Sequence, residues 1–316
     1  MTIVKTYLFV VLGLTVLSGW VSGAEAPDYL ESSAFELAEG EYLDVSDGDG
    51  QKRLRYMLAH DTSDEDAVFR TYKPYVHVFA PDGESFLTKG VDGKFPHHRG
   101  IFTGWSKLGH GGEVFDLWHM KNGAAQVHRG FVEVEASEGG TGFAARIDWV
   151  NPEGVVMLEE VREVIYYPAA EGVYAEMDFT VTLTAVNGEV ELNGDPEHAG
   201  FQYRPHAEVV DNKSARYVFH RDGTDAKEDR DYPWVAMTYD LEGAGTWTVQ
   251  MMRDAGNPDD SRWSCYRDYG RFGNFFVRTI PDGESLSFRF RIRVTEGDAP
   301  GREVLQASFE RWVASD

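Results

Sequence analysis

The chain has 316 residues, of which 53 are acidic and 30 are basic, so its formal net charge is −23. This balance opposes a nucleic acid or an anionic membrane as the partner, because both repel a strongly negative protein. The only cysteine is Cys265, which excludes an intrachain disulfide, so the fold must rest on its hydrophobic core.

The first 24 residues predict a secretory signal peptide. Lys5 precedes an apolar run at 7–17, and small residues follow at 21–24, as at a cleavage site. An uncleaved anchor is the alternative. No later run is apolar for long enough to cross a bilayer, so we expect no membrane contact after cleavage. The sequence thus predicts a periplasmic or secreted protein.

Residues 25–316 predict one all-β domain. Met177–Thr184 and Leu286–Val294 alternate apolar and polar residues, as half-buried antiparallel strands do. Turn signals such as Asn187-Gly188 separate the strands. The segment Val304 to Val313 is the only helix predicted. We therefore expect a large antiparallel β-sandwich, with two curved sheets and few helices.

Histidines are concentrated in one stretch, since five of the ten lie between His97 and His128. Histidine exchanges protons near neutral pH, which makes this stretch a candidate for chemistry. Neighbouring residues on a strand point to opposite faces, so one of His97 and His98 can join Asp116, Trp118 and His128 in a cleft.

Two further segments carry polar and aromatic side chains. If residues 195–206 are extended, four polar side chains share one face, namely His198, Gln202, Arg204 and His206. Aromatic residues alternate with arginines in the segment 262–272, a composition that suits an acidic sugar. The candidate ligand-binding residues there are Trp263, Tyr266 and Arg267.

At these positions the chain resembles the exported "PmoA family", a domain of unknown function often labelled methane oxygenase PmoA. The resemblance spans roughly residues 50–300. The motifs that carry it are His97-His98-Arg99-Gly100, Asp116-x-Trp118, His128-Arg129, His198-Ala-Gly-Phe-Gln-x-Arg204, and Gly256-Asn257-Pro258 through Arg267-Asp-Tyr-Gly270. It implies an exported, single-domain, β-rich protein of the kind thought to accompany polysaccharide breakdown.

The first hypothesis for function is a carbohydrate-active lyase, hydrolase or epimerase that uses acid–base catalysis. His98 or His128 exchanges the proton, Asp116 orients one of them, His198 is the opposing acid, and Arg204 stabilises negative charge. The predicted substrate-binding residues are His97, Arg99, Trp105, Trp118, Gln202, His206, Trp263, Tyr266 and Arg267.

Two alternatives stay open. The same groove suits a non-catalytic glycan-binding protein, whose partner is a carbohydrate or another small polar ligand. Histidines with a carboxylate also suit a metal-dependent oxidase or hydrolase. No cofactor is predicted. A bound metal ion is possible, although no spacing matches a known local ligand motif.

Overall fold

The computed structural model describes residues 33–137, 139–168 and 170–315. The predicted signal peptide lies outside this part of the chain. In chain order the strands are β1 (Phe35–Ala38), β2 (Tyr42–Ser46), β3 (Lys52–Met57), β4 (Tyr75–Val78), β5 (Ile101–Trp105), β6 (Lys107–His110), β7 (Glu113–Phe115), β8 (Ala125–Ser137), β9 (Gly140–Val150), β10 (Val156–Tyr167), β11 (Ala175–Ala185), β12 (Val190–Asn193), β13 (Ala199–Tyr203), β14 (Arg216–Phe219), β15 (Trp234–Leu241), β16 (Gly245–Arg253), β17 (Arg262–Trp263), β18 (Phe272–Phe275), β19 (Arg278–Ile280) and β20 (Ser285–Glu296). The helices are α1 (Glu65–Thr71), α2 (Glu208–Asn212) and α3 (Arg302–Ala314).

The described strands form three antiparallel sheets. The first sheet has the order β1-β2-β3-β4-β5-β13-β18-β17, and the second has the order β14-β15-β16-β20-β11-β10-β9-β8. A third sheet has the order β19-β12-β6-β7. The predicted all-β sandwich of two large sheets is confirmed, and the small third sheet was not predicted. The strands of the third sheet have three or four residues each, too few to show an alternating pattern.

The main core lies between the first two sheets, where the alternation of the sequence places it. Met177, Phe179, Val181 and Leu183 of β11 are all buried in this core. The opposite face of β11 carries Asp178, which accepts hydrogen bonds from the guanidinium groups of β20. The period of two in these segments therefore correctly separates the core face from the polar face.

Helix α3 covers the polar face of the second sheet. Its Leu305 and Trp312 pack with Trp234, Ala236 and Met252 of β15 and β16. The predicted helix is confirmed. Its buried face includes Leu305 and Trp312, whereas the adjacent Val304 is exposed. No helix in the described residues is both long and apolar enough to cross a membrane.

A buried ion pair joins the two large sheets. On the core side of β10, Arg162 Nε donates to Glu160 Oε1 at 2.7 Å, and Trp149 Nε1 donates to Glu160 Oε2 at 2.7 Å. Arg162 Nη1 also donates to the carbonyl of Pro74 at 3.1 Å, directly before β4 of the first sheet. The pair therefore fixes the start of β4 against the second sheet.

Breaking this pair is expected to destabilise the protein. Glu160→Gln leaves the Arg162 charge inside the core without a counter-charge, so we expect the free energy of unfolding to fall by about 3–5 kcal/mol. Urea denaturation measures the loss. Glu159→Gln is the matched control, because Glu159 is the exposed neighbour on the same strand and its substitution should change stability by less than about 0.5 kcal/mol. Equal losses in the two variants would contradict the assignment.

Candidate functional site

The candidate site lies on the face of the first sheet that points away from the main core. Ile101 of β5 and Tyr203 of β13 belong to the main core. Tyr75 of β4 and Phe102 of β5 instead pack with Trp118 in a separate buried cluster. Since alternate residues of these strands serve opposite faces, one sheet supports both the core and the site.

Four loop segments meet on this face: 95–100 before β5, 116–119 after β7, 195–198 before β13, and Arg204 directly after β13. Close backbone contacts hold them. Gly100 has φ +42°, and a Cβ there would lie 2.2 Å from the carbonyl oxygen of Val76. The Gly100 carbonyl accepts the Arg204 N–H at 2.8 Å. Glycine at position 100 therefore lets the histidine loop and Arg204 pack on β4.

Four imidazole rings form a continuous row at the site. The ring centroids of His98 and His97 are 4.4 Å apart, those of His97 and His119 are 4.5 Å apart, and those of His119 and His198 are 5.4 Å apart. We call these four residues the histidine row. Turn geometry at 95–98, where His98 N–H donates to Phe95 O, brings both His97 and His98 into it.

The two outer histidines of the row each contact an aspartate. His119 Nδ1 lies 2.8 Å from Asp116 Oδ2, and His198 Nδ1 lies 3.0 Å from Asp195 Oδ1. Burial alone would raise the pKa of Asp116, but its hydrogen bonds from His119 dominate and hold that pKa below its usual range. An ionised carboxylate accepts a hydrogen bond from Nδ1–H, which leaves Nε2 of each neutral ring as the atom that can take up a proton.

The inner end of the site is rich in basic side chains. Lys73 Nζ lies 5.6 Å and Arg204 Cζ 5.8 Å from the centroid of the Trp118 ring. Burial, followed by the charge of Arg271, lowers the pKa of Arg204 to about 9, and burial lowers that of Lys73 well below its usual value. We call Lys73, Arg204 and Arg271 the basic end of the site.

Burial, together with the basic end, keeps the inner histidines neutral. Burial and the neighbouring charge of Lys73 lower the pKa of His97 to about 2. Burial and the charge of Arg204 lower the pKa of His98 well below its usual value. The row therefore joins two neutral inner rings to two outer rings that are paired with carboxylates.

Glu197 is a site residue that the sequence analysis missed. Its Oε1 accepts hydrogen bonds from Tyr266 at 3.1 Å and from Arg267 Nη2 at 2.7 Å, and its Oε2 forms an ion pair with Arg271. Tyr266 and Arg267 were predicted to bind a ligand, whereas here they hold a protein carboxylate. Burial raises the pKa of Glu197, but the hydrogen bond from Arg267 and the charge of Arg271 lower it overall.

His119, Asp195 and Lys73 were also missed as site residues. The sequence was interpreted as a strand at 116–119, which placed His119 opposite Asp116. The segment is instead a turn, in which Asp116 Oδ1 accepts the N–H groups of Trp118 and His119. An Asp three residues before a His occurs at both Asp116 and Asp195, and that spacing is the signal that could have found these pairs.

Three predicted residues lie away from the histidine row. His128 on β8 contacts Tyr56 and Phe131, and burial lowers its pKa to about 4. Trp105 and Trp263 are almost fully buried, and each indole N–H donates to a backbone carbonyl. They were expected to stack on sugar rings, but both belong to the main core, since their strand positions face inward.

The predicted binding residues Arg99, Gln202 and His206 lie at three different places in the structure. Arg99 donates to the carbonyls of Pro96, Phe69 and Arg70, so it caps the end of α1 instead of facing a ligand. Gln202 is buried on the site face of β13, where its Nε2 donates to Ala199 O at 2.8 Å. His206 lies half-exposed beside Glu208, outside the histidine row.

No group of three or more His, Cys, Asp or Glu side chains in the described residues is arranged to hold a metal ion. The rings of the histidine row contact one another in edge-to-face and tilted arrangements.

Three comparisons place the chain among known proteins. A family model described as a family of unknown function (DUF6807) matches residues 44–310. This match confirms the expected domain of unknown function but gives no support to the PmoA name. No curated protein matches the chain.

Among solved structures, the chain is similar to heparan sulfate lyase HepC from Pedobacter heparinus. The identity is 12% and the TM-score is 0.35, over 88% of this chain and 38% of that one. A mutant of the same lyase gives 11% identity and a TM-score of 0.36, over 87% of this chain and 38% of that one. The chain thus spans less than two fifths of the length of these structures.

The buried histidines predict a loss of stability in acid. Burial lowers the pKa of His77 from 6.5 to about 3, and the pKa of His98 shifts in the same direction. The unfolded chain therefore binds protons that the folded protein does not, so stability is complete above about pH 6.5 and falls as the pH drops below it.

We expect His98→Gln and His77→Gln each to reduce the slope of the unfolding free energy against pH by up to about 1.4 kcal/mol per pH unit. Urea denaturation between about pH 7 and about pH 5 measures it. His77 serves as the matched comparison outside the histidine row, because it stacks on Phe86 instead. If the unfolding free energy of both variants depends on pH as steeply as that of the wild type, the buried, neutral state of these histidines is contradicted.

Proposed function

We propose that this chain, which belongs to the family of unknown function DUF6807, is a carbohydrate-active enzyme that works by acid–base catalysis at His119 and His198. The observation that carries the proposal is the pair of aspartate-bound imidazoles whose ring centroids lie 5.4 Å apart. Export to the periplasm or the medium, which the N-terminal sequence predicts, is part of the same proposal.

The two histidines supply complementary proton transfers. One ring accepts a proton from the substrate, or from a water that attacks it, and the other donates a proton to the departing oxygen. Asp116 and Asp195 orient the rings and stabilise the imidazolium that forms in each transfer. In a lyase, one ring removes the proton from carbon and the other protonates the departing oxygen. In a hydrolase, the attacking water supplies the hydroxyl group and the proton. In an epimerase, one ring removes the proton from carbon and the other returns a proton to the opposite face of that carbon.

Exposed aromatic side chains around the row support a saccharide as the substrate. Phe95 is 40% exposed, and its ring centroid lies 5.3 Å from that of His98. Its φ of +54° is unusual for a phenylalanine and holds the ring beside the site. Phe69 is also exposed, so these two residues take the stacking role that the sequence assigned to buried tryptophans.

A surface depression gives the substrate room next to His119. Its volume is about 480 Å³, and its lining includes Phe69, Tyr72, Glu65 and His119. This volume lies within the range of small-molecule sites, and a mixture of aromatic and hydrogen-bonding groups suits a sugar. The depression reaches the histidine row from the side of helix α1.

Substituting the paired histidines is expected to abolish most of the turnover. His119→Gln and His198→Gln should each lower kcat by about 10²- to 10⁴-fold, because each removes one proton transfer. The measurement is product release from a panel of plant and algal glycans, acidic and neutral, with circular dichroism to show that the variants fold.

The control for this experiment is His110→Gln, since His110 on β6 contacts Asn187 and no residue of the histidine row. It should retain wild-type turnover. Glycan binding without turnover, unchanged between about pH 5 and about pH 8, would contradict the enzyme and favour the non-catalytic glycan-binding protein.

Removing the exposed ring at position 95 should weaken substrate binding and leave the chemistry intact. We expect Phe95→Ala to raise KM by roughly five- to tenfold with little change in kcat, because a stacking contact of about 1 kcal/mol is lost. Val114→Ala, at an exposed position of β7, is the control. Steady-state kinetics with unchanged KM for Phe95→Ala would contradict the stacking role.

A further inference from the structure

We infer that Arg204 lies at the bottom of a subsite that binds an oxyanion of an acidic saccharide. This oxyanion is either a carboxylate or a sulfate ester. The saccharide part of this inference rests on the proposed function, whereas the oxyanion part rests on the geometry around Arg204 alone.

Arg204 is a buried guanidinium without a hydrogen-bond partner. Its residue is 2% exposed, and in the described structure Nε, Nη1 and Nη2 all lack an acceptor. A guanidinium carries five N–H donors, so a complete set of unused donors in the interior is costly. Arg99 and Arg162 provide the contrast, because they are equally buried and each donates three hydrogen bonds to protein acceptors.

Other unused polar atoms lie beside Arg204. Trp118 Nε1 and His98 Nε2 are buried and have no partner in the described structure. The Trp118 ring lies 5.8 Å from Arg204 Cζ, and its centroid is 6.3 Å from that of His98. Three neighbouring side chains thus present unused hydrogen-bonding nitrogens to one region, as expected of a site built for a ligand.

The charge around Arg204 selects an anion. Lys73 is buried next to the same Trp118 ring, and its Nζ donates to the Trp118 carbonyl at 3.1 Å. Two carboxylates of the site are already engaged, because Glu197 binds Arg267 and Arg271, and Asp116 binds His119. An uncompensated positive charge in the interior favours a negatively charged ligand, which restores the balance.

The shape of the guanidinium narrows the chemical class further. Its planar fork pairs with carboxylate and sulfate oxygens through two parallel hydrogen bonds. Trp118 also lies 6.2 Å from His198 between ring centroids, so an anion held by Arg204 places the attached sugar next to the proposed acid–base pair. The subsite thereby determines which glycans are substrates, and it excludes neutral ones.

Binding probes of matched structure test the subsite. We expect D-glucuronate or a glucose sulfate ester to raise the melting temperature of the full-length protein, and D-glucose at the same concentration to leave it unchanged. Comparing the two anionic sugars distinguishes the carboxylate from the sulfate ester. The proposal is overturned if neither anionic sugar shifts the melting temperature, or if D-glucose shifts it equally. It is also overturned if inorganic sulfate binds as tightly as both anionic sugars.

Variants at the buried arginines sharpen the test. Arg204→Met should weaken binding of the anionic sugar by at least about thirtyfold, while the melting temperature without ligand stays equal or rises, because an unpaired charge is removed. Arg99→Met is the matched control, and it should lower the melting temperature because three carbonyls lose their donor. An equal fall in both variants would mean that Arg204 is only structural.

A conservative variant covers the case in which Arg204→Met does not fold. Arg204→Lys keeps the charge but loses the fork, so we expect a folded protein with weaker binding of the anionic sugar. Unchanged affinity in this variant would contradict bidentate recognition. Anion binding is measured without turnover, so the two proposals can fail separately. If the protein binds the anionic sugar but cleaves no glycan, the enzyme is refuted and the subsite is retained. If it cleaves neutral glycans and Arg204→Met leaves that turnover intact, the subsite alone is refuted.

Discussion

The Arg204 guanidinium lies inside the protein, and in the described structure none of its three nitrogens meets an acceptor. Keeping such a charge out of water costs several kcal/mol, which the remaining packing must offset. Burial in the main core between the two large sheets supplies this stabilising free energy. The ion pair of Glu160 and Arg162 links the core to the segment before β4. Lys73 at the site lies directly beside Pro74, whose carbonyl Arg162 binds. The stability of the core thus offsets the unfavourable electrostatics around Arg204.

Strand β13 and its continuation show how one short segment serves both the core and the site. Phe201 and Tyr203 enter the main core, while Gln202 and Arg204 point to the site face. The sequence predicted this division from the alternation alone, because side chains of a strand change face at each residue. The prediction extended the strand to His206, however. Pro205 cannot donate to a ladder, and the strand ends at Tyr203, so His206 lies apart from the other three.

The sequence predicted the fold class, the long strands and helix α3, since each rests on a period that spans many residues. It also identified the segments that form the site. It did not predict which histidines would meet, because the contact between His119 and His198 depends on two turns that are distant in the chain. His128 illustrates the limit: its sequence neighbourhood resembles that of the other histidines, but its strand belongs to the second sheet. Exposure at Phe95 likewise depends on a local backbone conformation that no periodicity reveals.

The histidine row connects two environments with opposite electrostatics. At the inner end, burial beside Lys73 and Arg204 keeps His97 and His98 neutral, so they add no positive charge to a region that already has too much. At the outer end, Asp116 and Asp195 supply the negative charge that a protonated imidazole requires. An anion bound at Arg204 would reduce the excess of positive charge next to His98 and thereby raise its affinity for a proton. Binding of an anion at Arg204 and protonation of His98 would therefore be linked through the same unpaired guanidinium.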